Sequence, residues 1–185
     1  MTITTLEIAG VASVLHALRL PFGKDCRSTI AAIYAKDKKF GDIPVIKTET
    51  RCHIDERDFK LLSTLVKRGT EHAKVIRGLV VYAEIEAPIY FLREMETYRA
   101  GRERLSSEST MHQQCRGLSG EELVKAKAEM PMGTEQRTVD MLSYQCLRNI
   151  VKQRHDHRLP EWHTFVEWVR TLPFAEELIF VGLDI

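Results

Sequence analysis

The 185-residue chain predicts a mixed α/β (α+β) fold, mostly helical with a small sheet. Three patterns carry that reading. Leu61, Leu62, Leu65 and Val66 recur at helical spacing within residues 55–68. Residues 79–85 are rich in Val, Tyr and Ile, with Glu84 and Glu86 at alternate positions, as in a strand. Residues 134–154 read as one long helix.

The other elements follow in chain order. Ile3 to Ile8 predicts a short strand, and Val11, Val14, Leu15 and Leu18 share one helical face. Residues 29–35 could form another helix, and 41–51 read as loop with Pro44 as punctuation. The helix over 55–68 has acids in its first turn, Lys67 and Arg68 in its last, and Gly69 as its stop. Pro88 opens a helix to about Arg99. Residues 101–120 are polar and read as irregular, and Ser119 with Glu122 forms a capping box for a short helix toward Glu129. Pro160 starts a last helix whose apolar face is Trp162, Phe165, Val166 and Val169.

Composition narrows the function. Lys plus Arg total 27 against 26 Asp plus Glu, a net charge of +1, which argues against a broad electrostatic nucleic-acid binder. With 44% hydrophobic residues, residues 1–185 suit one domain with its own core. The longest apolar stretch, 78–92, is broken by Glu84 and Glu86 and is shorter than the roughly 20 residues of a membrane span. No basic, apolar signal segment opens the chain, and Cys26, Cys52, Cys115 and Cys146 form no CxxC pair. These features predict a cytoplasmic protein with reduced thiols and no metal site.

Chemistry concentrates in two places. Arg154 continues the apolar face of Leu147, Ile150 and Val151, and a charge there needs a partner. That partner is either a carboxylate at the core edge or a bound anion. Arg148, Lys152, Arg158, His155 and His157 surround it with only Asp156 opposing, a composition suited to phosphate. In the second place Arg99, Arg102 and Arg104 precede Ser106, Ser107, Ser109 and Thr110, either a phosphate-binding or a plain solvated loop. No P-loop, GxGxxG, GxSxG or HExxH is present. Cys146 reads as a small buried hydrophobe.

Three segments together resemble the flavin-dependent thymidylate synthase family, in a divergent branch found in bacteriophages and prophages. Residues 61–99, ending APIYFLREMETYR, resemble its helix, histidine segment, strand and signature helix. Residues 99–112 resemble its signature loop. MPMGTEQRTVDMLSYQCLRNIVKQR, residues 130–154, resembles its long helix and the NFLxLR ending, here Asn149-Ile150-Val151-Lys152-Gln153-Arg154.

The resemblance implies a small mixed or antiparallel sheet packed with several helices, one of them long and central. It also implies C5 methylation or hydroxymethylation of a pyrimidine deoxynucleoside monophosphate, dUMP or a relative, in phage nucleotide metabolism within the host cytoplasm. FAD is the implied cofactor, with methylenetetrahydrofolate and NADPH as co-substrates. The nucleotide-binding positions carried over are Ser109, Lys127 in place of an arginine, Arg154, and Glu94 in place of a glutamine. Arg154 also takes the catalytic role, polarising the pyrimidine where the family uses no cysteine nucleophile. The flavin positions are His72, Lys74, Tyr98, Arg99, Ser143, Gln145 and Asn149. Thr97 and Tyr98 replace the first two signature residues, Ser143 and Gln145 replace an asparagine and an arginine, and Ser107 replaces an acid. Family members are homotetramers with sites shared between subunits, so Ser109 and Arg154 serving one nucleotide can come from different chains. The alternative is a catalytically degenerate nucleotide- or flavin-binding protein on the same fold; a small nucleic-acid-binding phage protein has only local basicity behind it.

Overall fold

A computed structural model describes residues 1–24, 29–40, 43–69 and 71–185, with the side chains of 29–53 left aside. Four antiparallel strands in the order β1-β4-β6-β5 form the main sheet: β1 Thr2–Ala9, β4 Val80–Pro88, β5 Arg102–Ser107 and β6 Glu135–Ser143. A separate antiparallel pair joins β2, Thr29–Phe40, to β3, Ile43–His53. The helices are α1 Val11–Arg19, α2 Glu56–Lys67, α3 Ile89–Met95, α4 Gly120–Ala128, α5 Tyr144–Arg154 and α6 Pro160–Arg170.

The expected strand and helices at the start, at 55–68 and after Pro160 are present. Asp55 caps α2 by accepting from the Arg57 amide at 2.9 Å, and Gly69 beyond its end takes φ 106°. In β4, Val81, Ala83, Ile85 and Ala87 are fully buried while Tyr82, Glu84 and Glu86 face the other way. Leu142 of β6 pairs with Val81 on the same face, beneath Phe91, Leu147, Ile150, Trp162 and Phe165. Burying this apolar surface stabilises the sheet–helix layers by about 25 cal/mol per Å².

Several expectations need correction. Residues 134–154 are not one helix but β6 followed by α5, with the break at Ser143, whose hydroxyl accepts from the Cys146 amide at 3.1 Å. The buried face of β6 carries Thr138 and Asp140, so its alternation is polar-in and looks unlike a strand. Residues 29–35 lie in a strand and not a helix, and 43–51 lie in β3 and not a loop; Thr29, Ile30, Ile33, Val45, Ile46 and Thr48 are β-branched residues that favour strand pairing. Residues 102–107 form an edge strand, not an irregular loop. Ser119 stands at the N-cap of α4, but its side chain makes no capping bond.

α3 also ends at Met95, earlier than expected. Among the described residues no helix is long and apolar enough to cross a membrane.

Candidate functional site

Arg154 ends α5 one turn beyond Ile150 and Val151, with its side chain 21% exposed. Its Nε donates to the Tyr98 hydroxyl at 2.7 Å, and its Nη1 lies 3.5 Å from Glu94 Oε2. The guanidinium carbon sits 4.8 Å from the Trp162 ring centroid and 5.7 Å from that of Tyr98. Glu94 Oε2 also accepts from the buried Trp162 Nε1 at 2.8 Å, and His157 Nε2 stands 3.9 Å away. The core-edge carboxylate is therefore present, and it is Glu94. Arg154 Nη2 and Glu94 Oε1 have no partner among the described residues. A cation held against two aromatic rings and one carboxylate keeps a fixed position and spare donors.

A second constellation lies at the other end of α5. Gln145 is 7% exposed; its Nε2 donates to Asn149 Oδ1 at 3.2 Å, one turn on, while its buried Oε1 has no partner among the described residues. Both line a cavity of about 510 Å³ with Arg77, Ala100, Gly101 and Ser143. A buried amide oxygen without a donor costs free energy unless a ligand supplies one. Gly101 takes φ 82°, and a Cβ there would lie 2.4 Å from the Ser143 hydroxyl. The backbone passes this close only because residue 101 has no side chain.

The expected site residues divide between these places. Ser143, Gln145 and Asn149 line the α5 cavity, whereas Tyr98 joins Glu94 and Arg154. His72, Lys74 and Arg99 are exposed and do not line that cavity. Arg77, which closes the short helical turn that begins at Lys74, lines the cavity instead. Lys127 Nζ hydrogen-bonds the Thr110 hydroxyl beside Ser109. Ser109 is exposed, its carbonyl accepting from the amides of His112 and Gln113, and among the described residues no hydrogen bond or ion pair links this corner to Arg154. Arg102 and Arg104 are spent internally. Arg102 donates to Asp140 Oδ2 from Nε at 2.9 Å and Nη2 at 2.6 Å, and Arg104 Nε reaches Asp140 Oδ1 at 3.3 Å. Those two guanidiniums are framework, so neither a phosphate-binding nor a solvated loop describes them.

No family model and no curated protein sequence matches the chain. Solved structures do. Thymidylate synthase X from Helicobacter pylori with FAD and dUMP superposes at a TM-score of 0.68 over 100% of both chains, at 12% identity. A second Helicobacter pylori structure, the flavin-dependent enzyme complexed with FAD and dUMP, gives 0.68 over 99% of each chain at 12% identity. The fold is that of flavin-dependent thymidylate synthase. A UMP/dUMP methylase, PolB from Streptomyces cacaoi, bound with 5-Br dUMP, shares it at a TM-score of 0.65 and 12% identity, over 100% of this chain and 96% of that one.

Within this thymidylate synthase fold Cys146 is 2% exposed, and burial pushes its thiol up to about 11, against a smaller downward pull from Arg102. It is a small buried residue, as the sequence predicts, and burial keeps its thiol protonated. Arg77 and Gly101 carry no sequence signal that singles them out as lining residues; only the tertiary approach of 77 and 101 to α5 shows them.

Proposed function

We propose that the chain modifies a pyrimidine deoxynucleoside monophosphate, dUMP or a relative, at C5 of the base. The observation that carries this reading is Arg154, fixed by Tyr98, Trp162 and Glu94 in a fold shared over its whole length with proteins solved with dUMP. Methylation or hydroxymethylation, a role in phage nucleotide metabolism and a cytoplasmic setting belong to the same proposal, as does a single domain over residues 1–185.

The α5 cavity fits a flavin's polar ring edge: about 510 Å³, an orphaned buried acceptor on Gln145, and the amide of Asn149 beside it. Ser143, Gln145, Asn149 and Arg77 would hold FAD there, with His72, Lys74 and Arg99 as outer contacts carried by the resemblance. When bound and reduced, flavin supplies hydride, with methylenetetrahydrofolate as one-carbon donor and NADPH as reductant.

The protein's own contribution is binding and polarisation. Arg154 presents positive charge, which favours electron density building up on the pyrimidine ring, and its partial burial strengthens that field. Trp162 and Tyr98 exclude water from one side of the guanidinium. Ser109 and Lys127 take the phosphate. A homotetramer in which different subunits complete each site belongs to the same proposal. Cys146, held protonated, supplies no nucleophile.

Arg154→Ala tests the reading. Calorimetric titration with dUMP is expected to show binding lost, with the thermal melt close to wild type. Unchanged dUMP affinity overturns the assignment. The purified protein is expected to be yellow; a colourless chain that still binds dUMP selects the degenerate binding protein instead.

A further inference from the structure

α5 carries a polar stripe that continues past the flavin cavity. Gln145, Asn149 and Lys152 recur at i, i+4 and i+7, so they share one face of the helix. Asn149 lines the cavity at the helix start and also a second one of about 640 Å³. Arg148, Lys152 and His155 line this second cavity, together with Gly69 and residues 182–185.

Arg148 is the deciding group. Its Nη1 donates to the carbonyl oxygens of Ile179 at 2.6 Å and Val181 at 2.8 Å. Those two bonds fix the guanidinium without neutralising it, and no carboxylate among the described residues pairs with it. Burial lowers its pKa, the direction expected of a cation partly stripped of water with no counter-charge. Its Nε and Nη2 have no acceptor among the described residues. Asp184 is the one acidic side chain in the lining, and it pairs with neither Arg148 nor Lys152. A favourable helix dipole explains a cation in the last turn, such as Lys152, but Arg148 stands at mid-helix.

We propose that this cavity is an oxyanion site, taking the phosphate or carboxylate groups of a ligand whose uncharged part enters the adjoining Gln145–Asn149 cavity. Forked guanidinium donors fixed in place, with an ammonium one turn on, suit a chain of oxyanions. The phosphates of a dinucleotide and the glutamate carboxylates of a pteridine co-substrate both present that chemistry. The site itself stands on the cavity geometry; the choice between these two sources rests on the reading above.

The test is calorimetric titration of the full chain with tripolyphosphate at low salt. Binding is expected, about tenfold weaker in Lys152→Glu, an exposed change that leaves the Arg148 tether intact. A wild-type chain that does not bind tripolyphosphate, or a Lys152→Glu chain that binds it equally well, overturns the site. Two ligand pairs then identify the source. Weaker FAD binding with riboflavin unaffected assigns the phosphates of a dinucleotide. Weaker tetraglutamyl tetrahydrofolate with the monoglutamyl form unaffected assigns glutamate carboxylates, and no change in either pair overturns the link to the adjoining cavity. Loss of dUMP binding in Arg154→Ala is read separately, so failure here leaves that test standing.

Discussion

The Nε–H of Arg154 donates to the Tyr98 hydroxyl at 2.7 Å, and that hydroxyl donates in turn to Gln153 Oε1 at 3.1 Å. The relay ties the segment after α3 to the last turn of α5. Family resemblance places Tyr98 at the flavin; the geometry makes it the residue that orients Arg154. These two roles have separable consequences.

Tyr98→Phe keeps the ring beside Arg154 and removes the acceptor. Losing one hydrogen bond to a charged group costs roughly 1.5–3 kcal/mol where the donor stays dry, and less where water replaces the hydroxyl. Arg154 is 21% exposed, so water partly replaces the hydroxyl and the expected outcome is dUMP affinity reduced about tenfold, with flavin retention unchanged. Paired titrations of dUMP and FAD check this. Loss of FAD with dUMP binding intact would return Tyr98 to the cofactor.

Asp140→Asn is expected to destabilise the fold rather than the chemistry. Asp140 is fully buried and serves both Arg102 and Arg104, while Arg102 Nη1 also holds the Met95 carbonyl at 2.9 Å. Removing the negative charge leaves a buried guanidinium uncompensated, at a cost of about 3–5 kcal/mol. A denaturant midpoint measured at fixed pH reads that loss. A midpoint within error of wild type would show that Arg102 is far better hydrated than its burial implies.

The same ion pair marks what the sequence makes legible and what it hides. Helices with an apolar stripe and clear end signals, α2 with its first-turn acids and Gly69 and α6 with Pro160 in its first turn, are legible because their burial is apolar and periodic. β6 is not, because its inward positions hold Thr138 and Asp140, and Asp140 is tolerable there only through arginines from a strand more than thirty residues earlier. β2 and β3 pair with each other, so their stabilisation is cross-strand, and no single-strand window displays it. At the site, the position of Arg154 on its helix face foretold a partner, and Glu94 is that partner. Arg77 and Gly101 reach the α5 cavity through tertiary packing alone.

Cys146 gives a prediction with a pH signature. Its thiol is pushed up to about 11 by burial, so near pH 8 only about one part in a thousand is thiolate. Because the thiolate is the reactive form, alkylation by iodoacetamide is expected to be negligible at pH 8 and to rise as the pH approaches 11. Peptide mapping separates Cys146 from the other cysteines. Cys146→Ala is expected to retain turnover; abolished turnover with an unchanged melt would make the thiol part of the chemistry.

Gly101→Ala probes the cavity at the start of α5 by adding a single methyl group to its lining. At φ 82° an alanine pays for a left-handed backbone, roughly 1–3 kcal/mol for a non-glycine residue. Its methyl would also stand 2.4 Å from the Ser143 hydroxyl and 3.3 Å from the Cys146 Cβ, both on the first turn of α5. Ser143 is the cap of that helix, so relieving the clash means losing its bond to the Cys146 amide or shifting the segment around residue 101 away from the cavity. Either movement disturbs the Gln145–Asn149 pair one turn further on. The expected result is a lowered melting temperature together with weakened FAD binding, measured by quenching of flavin fluorescence. Arg154 sits at the opposite end of the helix, so dUMP affinity is expected to fall much less. A variant whose melt drops while FAD binds as before would show that the cavity at the start of α5 is structural and that flavin is held elsewhere.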